Sequence, residues 1–242
     1  LRRVAVIIPA RFGASRFPGK PLADLGGKPV IAHVVERALR ARGADVVAVA
    51  TDDERIAEAA RQAGAQVVIT GPAATGTDRV AQAARALSPR PDVVVNLQGD
   101  EPMLEPQAVE AVIRAVLEGA EIATLARPLD PEEWVGTQAV KVVTDARGDA
   151  LYFSRAPIPH RRGGGMPALA RAHVGIYGFT ADALERFAAL PAGRLEQEEA
   201  LEQLRALEQG LRIRVVDTNY AGFGVDTPED LERARALVAT GT

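Results

Sequence analysis

Three cations and two glycines follow one short apolar run in the segment IIPARFGASRFPGKPL, residues 7 to 22. Arg11, Arg16 and Lys20 fall within ten positions, with Gly13 and Gly19 set among them. Glycines let backbone N–H groups turn towards an anion, while Arg and Lys add charge and directed donors. The chemistry open to such a loop is the cradling of phosphate, and a triphosphate is its natural ligand. It is not a Walker loop, because five residues separate the glycines and Pro21 follows Lys20. Nor does G-x-G-x-x-G follow the apolar run. Read from the residues alone, the segment is equally a surface loop with incidental cations.

A triphosphate needs a counter-charge, and acids occur at two distant places. NLQGDEP (96–102) carries Asp100 and Glu101, and GFGVDTPED (222–230) carries Asp226. Magnesium is commonly held by one or two carboxylates together with substrate phosphates, which suits Asp100. Asp100 also reads as a loop acid before Pro102 that helps to start the next helix. In the second segment Thr227-Pro228-Glu229-Asp230 reads as a helix start with its cap, proline and acids. That account leaves Asp226 unexplained. TGTDR (75–79) is a small polar loop whose expected helix cap is Thr77. His33 lies in an apolar helical stretch and reads as structural. His160 and His173 lack the spacing of a zinc pair. Trp134 reads as a packing anchor, and G-x-S-x-G is absent, which argues against an α/β-hydrolase.

The elements that must position these residues alternate between strand-length apolar runs and helical periods. Strands are expected over 4–9, 45–51, 66–70 and 92–98, and helices over 29–42, 53–64, 77–87 and 106–119. The strands are continuous Val/Ile runs, which predicts a mostly parallel sheet covered on both faces. Ligands of such sheets sit beyond the carboxyl ends of the strands, where the loop 10–22 lies. After residue 120 the connections shorten, with strands expected over 122–129, 139–145, 150–155 and 172–179. Helices follow over 181–190 and 195–210, then a strand over 211–217 and a helix over 227–239. RRGGGMP (161–167) reads as a mobile loop. The expected organisation is one α/β domain over 1–242 with a small inserted sheet at about 122–179.

Composition narrows the partners. The 242 residues carry a formal net charge of -3, which points to neither a nucleic-acid nor a membrane surface, so any attraction for anions is local. Absence of cysteine removes disulfides, thiolate zinc sites and a cysteine nucleophile, and fits a cytoplasmic protein. VAVIIP is too short for a signal peptide, and no apolar run reaches membrane-spanning length. Lysine appears at positions 20, 28 and 141 in a chain otherwise rich in arginine, which sets Lys20 apart.

Taken together, IPARFGASRFPGKPL, ATDDERI, TGTDR, NLQGDEP, AVKVV, ALYFSRAPIP, HVGIYGF, LEQLR and GVDTPEDLERAR resemble the 3-deoxy-manno-octulosonate (Kdo) cytidylyltransferases. The resemblance runs from about residue 4 to 237 and implies a Rossmann-like nucleotidyltransferase. It implies that CTP and Kdo react with magnesium to give CMP-Kdo and pyrophosphate, activating the sugar acid for lipopolysaccharide biosynthesis. It further implies that Arg11, Arg16 and Lys20 hold the triphosphate and that Thr75, Gly76, Thr77 and Arg79 lie near the cytidine. Asp100 and Asp226 would bind magnesium, with Lys20, Asp100 and Asp226 forming the catalytic group. Gln98, Arg155, His173, Tyr177, Glu202 and Gln203 would face the sugar acid. The family forms homodimers with the inserted sheet in the contact. Between Ile158 and Ala172 this chain is short and glycine-rich where the family carries a longer segment, which bears on lid closure and sugar selectivity. A cytidylyltransferase for another sugar acid, a non-catalytic nucleotide sensor and a dinucleotide oxidoreductase are the competing readings.

Overall fold

Val4, Val6 and Ile8 bury on one face of the first strand while Ala5 and Ile7 bury on the other. A strand apolar on both sides must be the middle of a sandwich. The computed structural model, which describes residues 2–13 and 17–239, builds that sandwich. Strand β1 (Val4–Pro9) leads to a single 3-10 turn (Lys20–Leu22), a short hairpin of β2 (Asp24–Leu25) and β3 (Lys28–Pro29), and α1 (Val30–Ala38). The strand–helix rhythm continues with β4 (Val46–Thr51), α2 (Glu54–Gln62), β5 (Gln66–Ile69), α3 (Gly76–Ala86), β6 (Val93–Asn96) and α4 (Pro106–Leu117). Then come β7 (Ile122–Pro128), α5 (Pro131–Val135), β8 (Lys141–Thr144), β9 (Ala150–Ser154) and β10 (Arg171–Thr180). The chain closes with α6 (Ala181–Ala189), α7 (Arg194–Glu199), α8 (Leu204–Glu208), β11 (Ile213–Asp217) and α9 (Pro228–Ala239).

The central sheet has the order β11-β7-β10-β6-β1-β4-β5. Its strands are parallel except β10, which runs against both β6 and β7. Strand β8 pairs with the first residues of β10, and β9 pairs with β8, so a small antiparallel extension grows from the end of one central strand. Between Val174 and Tyr177 the register of β10 on β7 shifts, and on its other edge the strand passes from pairing with β8 to pairing with β6. One core holds α1, α2 and α4 against the sheet through residues such as Ile31, Val35, Ile56 and Val112. The other holds α3, α6 and α8 through Val80, Leu87, Leu184 and Leu204. Hairpin β2–β3 and α5 are elements that the periodicity did not announce, being too short to carry a period.

Two expectations are corrected. The N-cap of α3 is Thr75, not Thr77: its hydroxyl accepts from the Asp78 N–H and the Asp78 carboxylate accepts from the Thr75 N–H, each at 3.1 Å. Thr77 is instead buried in the first turn. The helix expected over 195–210 is two helices, α7 and α8. The chain breaks at Ala200, the one residue other than glycine at positive φ among the described residues (φ 52). LEQEEALEQLRALEQG is made of helix formers, so propensity favours continuity. Burial of Leu201 and Leu204, both beyond the break, in one shared core overrides it. A left-handed alanine costs about 1–2 kcal/mol, and glycine avoids most of that strain. Ala200→Gly is therefore expected to raise stability by roughly 0.5–1 kcal/mol in urea unfolding. Through the same substitution a continuous helix would lose about 1 kcal/mol, so the sign of the change is decisive.

Candidate active site

Lys20 gathers the acids. Its Nζ donates to Asp100 Oδ2 at 2.5 Å and to Asp226 Oδ1 at 2.9 Å. Three local features set this up. Gly19 adopts the left-handed conformation open to glycine (φ 76), and its N–H returns to the Phe12 carbonyl at 2.8 Å. Lys20 then starts the 3-10 turn with its side chain directed inwards, 16% exposed. At the end of β6, Gly99 passes so close to β1 that a Cβ there would stand 2.9 Å from the Pro9 carbonyl oxygen. That approach brings Asp100 over the loop.

Asp226 arrives from the far end of the chain. Helix α9 buries Leu231 and Ala234 against Leu25 and Val30, so the hairpin and the C-terminal helix share a small core of their own. The Val225 N–H donates to the Asp100 carbonyl at 2.8 Å, fastening one acid-bearing segment to the other. The capping question raised by the sequence is answered here. Thr227 and Asp230 exchange the capping bonds, with the Thr227 hydroxyl accepting from the Asp230 N–H at 3.2 Å. The Asp226 carboxylate is thereby released from that duty and turned to Lys20. Burial works against the Lys20 ammonium, but Asp100 and Asp226 outweigh it and hold it above its ordinary range.

These residues line a cleft of about 240 Å³ that also takes in Arg11, Thr75, Gly76, Arg79 and Gln98. The start of α3 faces it, so the positive end of a helix adds to Arg11 and Lys20. Arg79 lies in the wall with its guanidinium tied to Thr70 Oγ1 at 2.5 Å and Asp52 Oδ2 at 2.8 Å. Arg16 lies outside the described residues. Among the described residues no three His, Cys, Asp or Glu side chains converge as a metal cage. The pair Asp100 and Asp226, completed by phosphate oxygens, is the donor set that magnesium prefers.

A much smaller cavity, about 10 Å³, is lined by Thr77, Tyr177, Glu202 and Gln203 on one side and by apolar residues such as Phe179, Phe187 and Ile213 on the other. The Thr77 hydroxyl accepts from Asn96 Nδ2 at 3.2 Å and donates to Glu202 Oε2 at 2.6 Å. Glu202 Oε1 and Asn96 Oδ1 are buried and find no donor among the described residues. Asn96 belongs to this group and was not singled out by the sequence. Only the chain reversal between α7 and α8 brings Glu202 and Gln203 here. His173 joins through Tyr177, the ring centroids being 5.4 Å apart. Its Nε2 lies 2.9 Å from the Thr124 hydroxyl, which is also 2.9 Å from the Ile176 carbonyl. A hydroxyl that donates to the carbonyl must accept from Nε2–H, which leaves Nδ1 as an acceptor. Burial lowers His173 to about 3, so the ring stays neutral at working pH. Arg155 stands apart: its Nε donates to the Glu199 carbonyl at 3.1 Å and its Nη1 to the Thr137 carbonyl at 3.2 Å.

The family model for Cytidylyltransferase matches residues 5–213. The chain belongs to the cytidylyltransferase family. A 3-deoxy-manno-octulosonate cytidylyltransferase of Anaeromyxobacter sp. (strain Fw109-5) is 75% identical over 241 residues, covering 100% of this chain and 99% of that protein. A protein of the same name from Nitratidesulfovibrio vulgaris (strain DP4) is 51% identical over 232 residues, covering 93% of this chain and 92% of that one. Among solved structures, CMP:2-keto-3-deoxy-manno-octonic acid synthetase complexed with CTP superposes with a TM-score of 0.93 at 42% identity, over 99% of this chain and 100% of that one.

Beside Asp100, Glu101 is 9% exposed and accepts a hydrogen bond from the Tyr220 hydroxyl at 2.7 Å. Burial pushes its carboxyl up to about 7, opposed by the Tyr220 bond and assisted by the Asp100 charge. Between the ordinary value of 4.5 and about 7, the folded state keeps a proton that the unfolded chain has released. Stability therefore falls as pH rises through that window. Glu101→Gln imitates the protonated acid and removes this slope. Relative to wild type it should gain roughly 1–3 kcal/mol between pH 4.5 and pH 8 in urea unfolding. Parallel pH profiles for the two proteins would show that Glu101 is ionised in the fold.

Proposed function

We propose that this chain transfers CMP from CTP to the anomeric hydroxyl of Kdo, giving CMP-Kdo and pyrophosphate, and so activates the sugar acid for lipopolysaccharide biosynthesis. The observation that carries the reading is the shared wall at the start of α3. Thr75 and Gly76 line the charged cleft, and the next residue, Thr77, holds Glu202 beside the small cavity behind it. A nucleotide triphosphate in the cleft and a polyhydroxylated acid at the Glu202–Asn96 group, where the cavity of about 10 Å³ must widen to admit it, would be brought together across this wall. The buried acceptors Glu202 Oε1 and Asn96 Oδ1 call for hydroxyl donors, which a sugar supplies.

In this reaction the anomeric hydroxyl oxygen forms a bond to the α-phosphorus and gives up its proton to solvent, while the bond from that phosphorus to the pyrophosphate oxygen breaks. Positioning and neutralisation of charge dominate such a step. Arg11, Lys20 and the start of α3, together with Arg16, would bind the triphosphate and stabilise the departing pyrophosphate. Asp100 and Asp226 would hold magnesium, which supplies charge neutralisation and Lewis-acid polarisation of the phosphates. Thr75, Gly76, Thr77 and the Arg79 wall would accommodate the cytidine side. Gln98, Tyr177, Glu202, Gln203 and neutral His173 would orient the sugar hydroxyls, and Arg155 would meet the carboxylate. A planar guanidinium suits that task, since it offers two parallel donors.

The proposal includes a homodimer in which the β8–β9 extension takes part. Leu151 on β9, 62% exposed, is an apolar group that such a contact would cover. The described helices include none long and apolar enough to cross a membrane. We place the reaction in the cytoplasm, where CTP is available.

Pyrophosphate release is expected to require CTP, Kdo and a divalent ion together. It is measured across four nucleotides and several sugar acids. Equal turnover with ATP or UTP, or turnover of a neutral hexose phosphate, would defeat the assignment. Preference for a different sugar acid would redirect it to that substrate. Lys20→Ala should lower kcat/KM roughly 10- to 100-fold, the range expected for one charge-assisted contact. Wild-type kinetics in a folded Lys20→Ala protein would remove the loop from the phosphate site.

A further inference from the structure

Lys141 lies on β8, far along the chain from the Lys20 loop, and is 0% exposed. Its ammonium donates to three backbone carbonyls: Gly136 at 2.5 Å, Ala139 at 2.8 Å and Arg155 at 2.6 Å. Three carbonyls satisfy its three protons, and no carboxylate among the described residues forms an ion pair with it. An apolar side chain would fill the same volume without the desolvation penalty, so the charge serves those carbonyls.

The other side of Arg155 is held by the opposite charge. Glu199, the last residue of α7, accepts from the Ser154 hydroxyl at 2.5 Å and from the Arg155 N–H at 2.9 Å. The main chain of Arg155 is thus gripped at its N–H by a carboxylate and at its carbonyl by an ammonium. Its guanidinium reaches two neutral carbonyls, those of Glu199 and Thr137. Thr137 lies within the turn that Lys141 fastens, and Glu199 precedes the left-handed Ala200. Among the described residues, the hydrogen-bond partners of Arg155 therefore belong to segments pinned by this lysine and this glutamate, and none pairs its guanidinium with a carboxylate.

We infer that Lys141 and Glu199 are positioning residues that clamp Arg155 from both sides and keep its guanidinium available for the carboxylate of the sugar acid. The inference rests on the reading of Arg155 as the carboxylate contact. It assigns a role to a buried lysine and to a helix-end acid that the transfer chemistry does not otherwise use. The clamp also links the two halves of the sugar side. The turn that displays Glu202 and Gln203 begins at the residue after Glu199, so displacement of α7 would disturb both.

The test is a double-mutant cycle read by steady-state kinetics, with CTP and Kdo varied in turn. Glu199→Gln keeps the shape and removes one charged acceptor, and is expected to raise KM for Kdo about tenfold while leaving KM for CTP unchanged. Lys141→Met should act in the same direction. Because it alters the core and can cost folding, Glu199→Gln carries the test and thermal melting accompanies both. In an Arg155→Ala background the Glu199→Gln effect should disappear, since the group it positions is gone. Full additivity, equal changes in both KM values, or no change would each overturn the clamp. If Arg155→Ala itself leaves KM for Kdo at the wild-type value, the reading of Arg155 fails and the clamp falls with it. A large Arg155→Ala effect beside a silent Glu199→Gln overturns the clamp alone.

Discussion

Two carboxylates from opposite ends of the chain share one ammonium, and much of the fold is arranged so that they can. Asp100 and Asp226 would repel one another at this separation without a cation between them. Lys20 lies 2.5 Å from one and 2.9 Å from the other, and each acid helps to keep it charged. The left-handed Gly19, the close passage of Gly99 beside Pro9 and the seat of α9 on the β2–β3 hairpin all converge on that contact. On the proposed reading, a site balanced in this way holds its charges together before a triphosphate arrives, and Lys20 exchanges contacts with the two acids for contacts with phosphate when it does.

The proposed sugar side obeys a different rule. Around Thr77, Tyr177 and His173 the direction of hydrogen bonds does more than net charge. His173 is kept uncharged by burial, with its tautomer set by Thr124. Glu202 is aimed by Thr77, and its second oxygen is left for a donor. The strain at Ala200 belongs here as well. An energetically unfavourable backbone at the edge of a cavity is retained because the residues beyond it must point inwards. Helix α3 divides the two halves, offering its N-terminus to one and the Thr77 hydroxyl to the other.

How much of this was legible in the sequence depends on how local the cause is. The places of β1, β4 and β6 follow from their apolar runs, and the two-sided burial from the lack of alternation, although β6 ends at Asn96 rather than at the expected 98. Of the residues in the family motifs, Lys20, Asp100 and Asp226 meet in the fold while Arg155 stands apart. The cap of α3 was misplaced by two residues because threonines stand at both 75 and 77, and the one followed three residues later by Asp78 wins both capping bonds. The break at Ala200 was invisible, since every local preference in that stretch favours helix. Glu101 and Asp100 are adjacent and chemically alike, yet one is buried against Tyr220 and the other faces Lys20.

The sequence by itself therefore determined the alternation of strands and helices, the cationic loop after the first strand and the family, because these arise from neighbours along the chain. The tertiary structure decided which charges meet. Asp226 pairs with Lys20 only because α9 finds its apolar seat on the hairpin. Lys141 and Glu199 flank Arg155 only because β8, β9 and α7 come together beside the sheet. Such contacts depend on sheet order and on burial of distant side chains, and no period or spacing in a single segment encodes them.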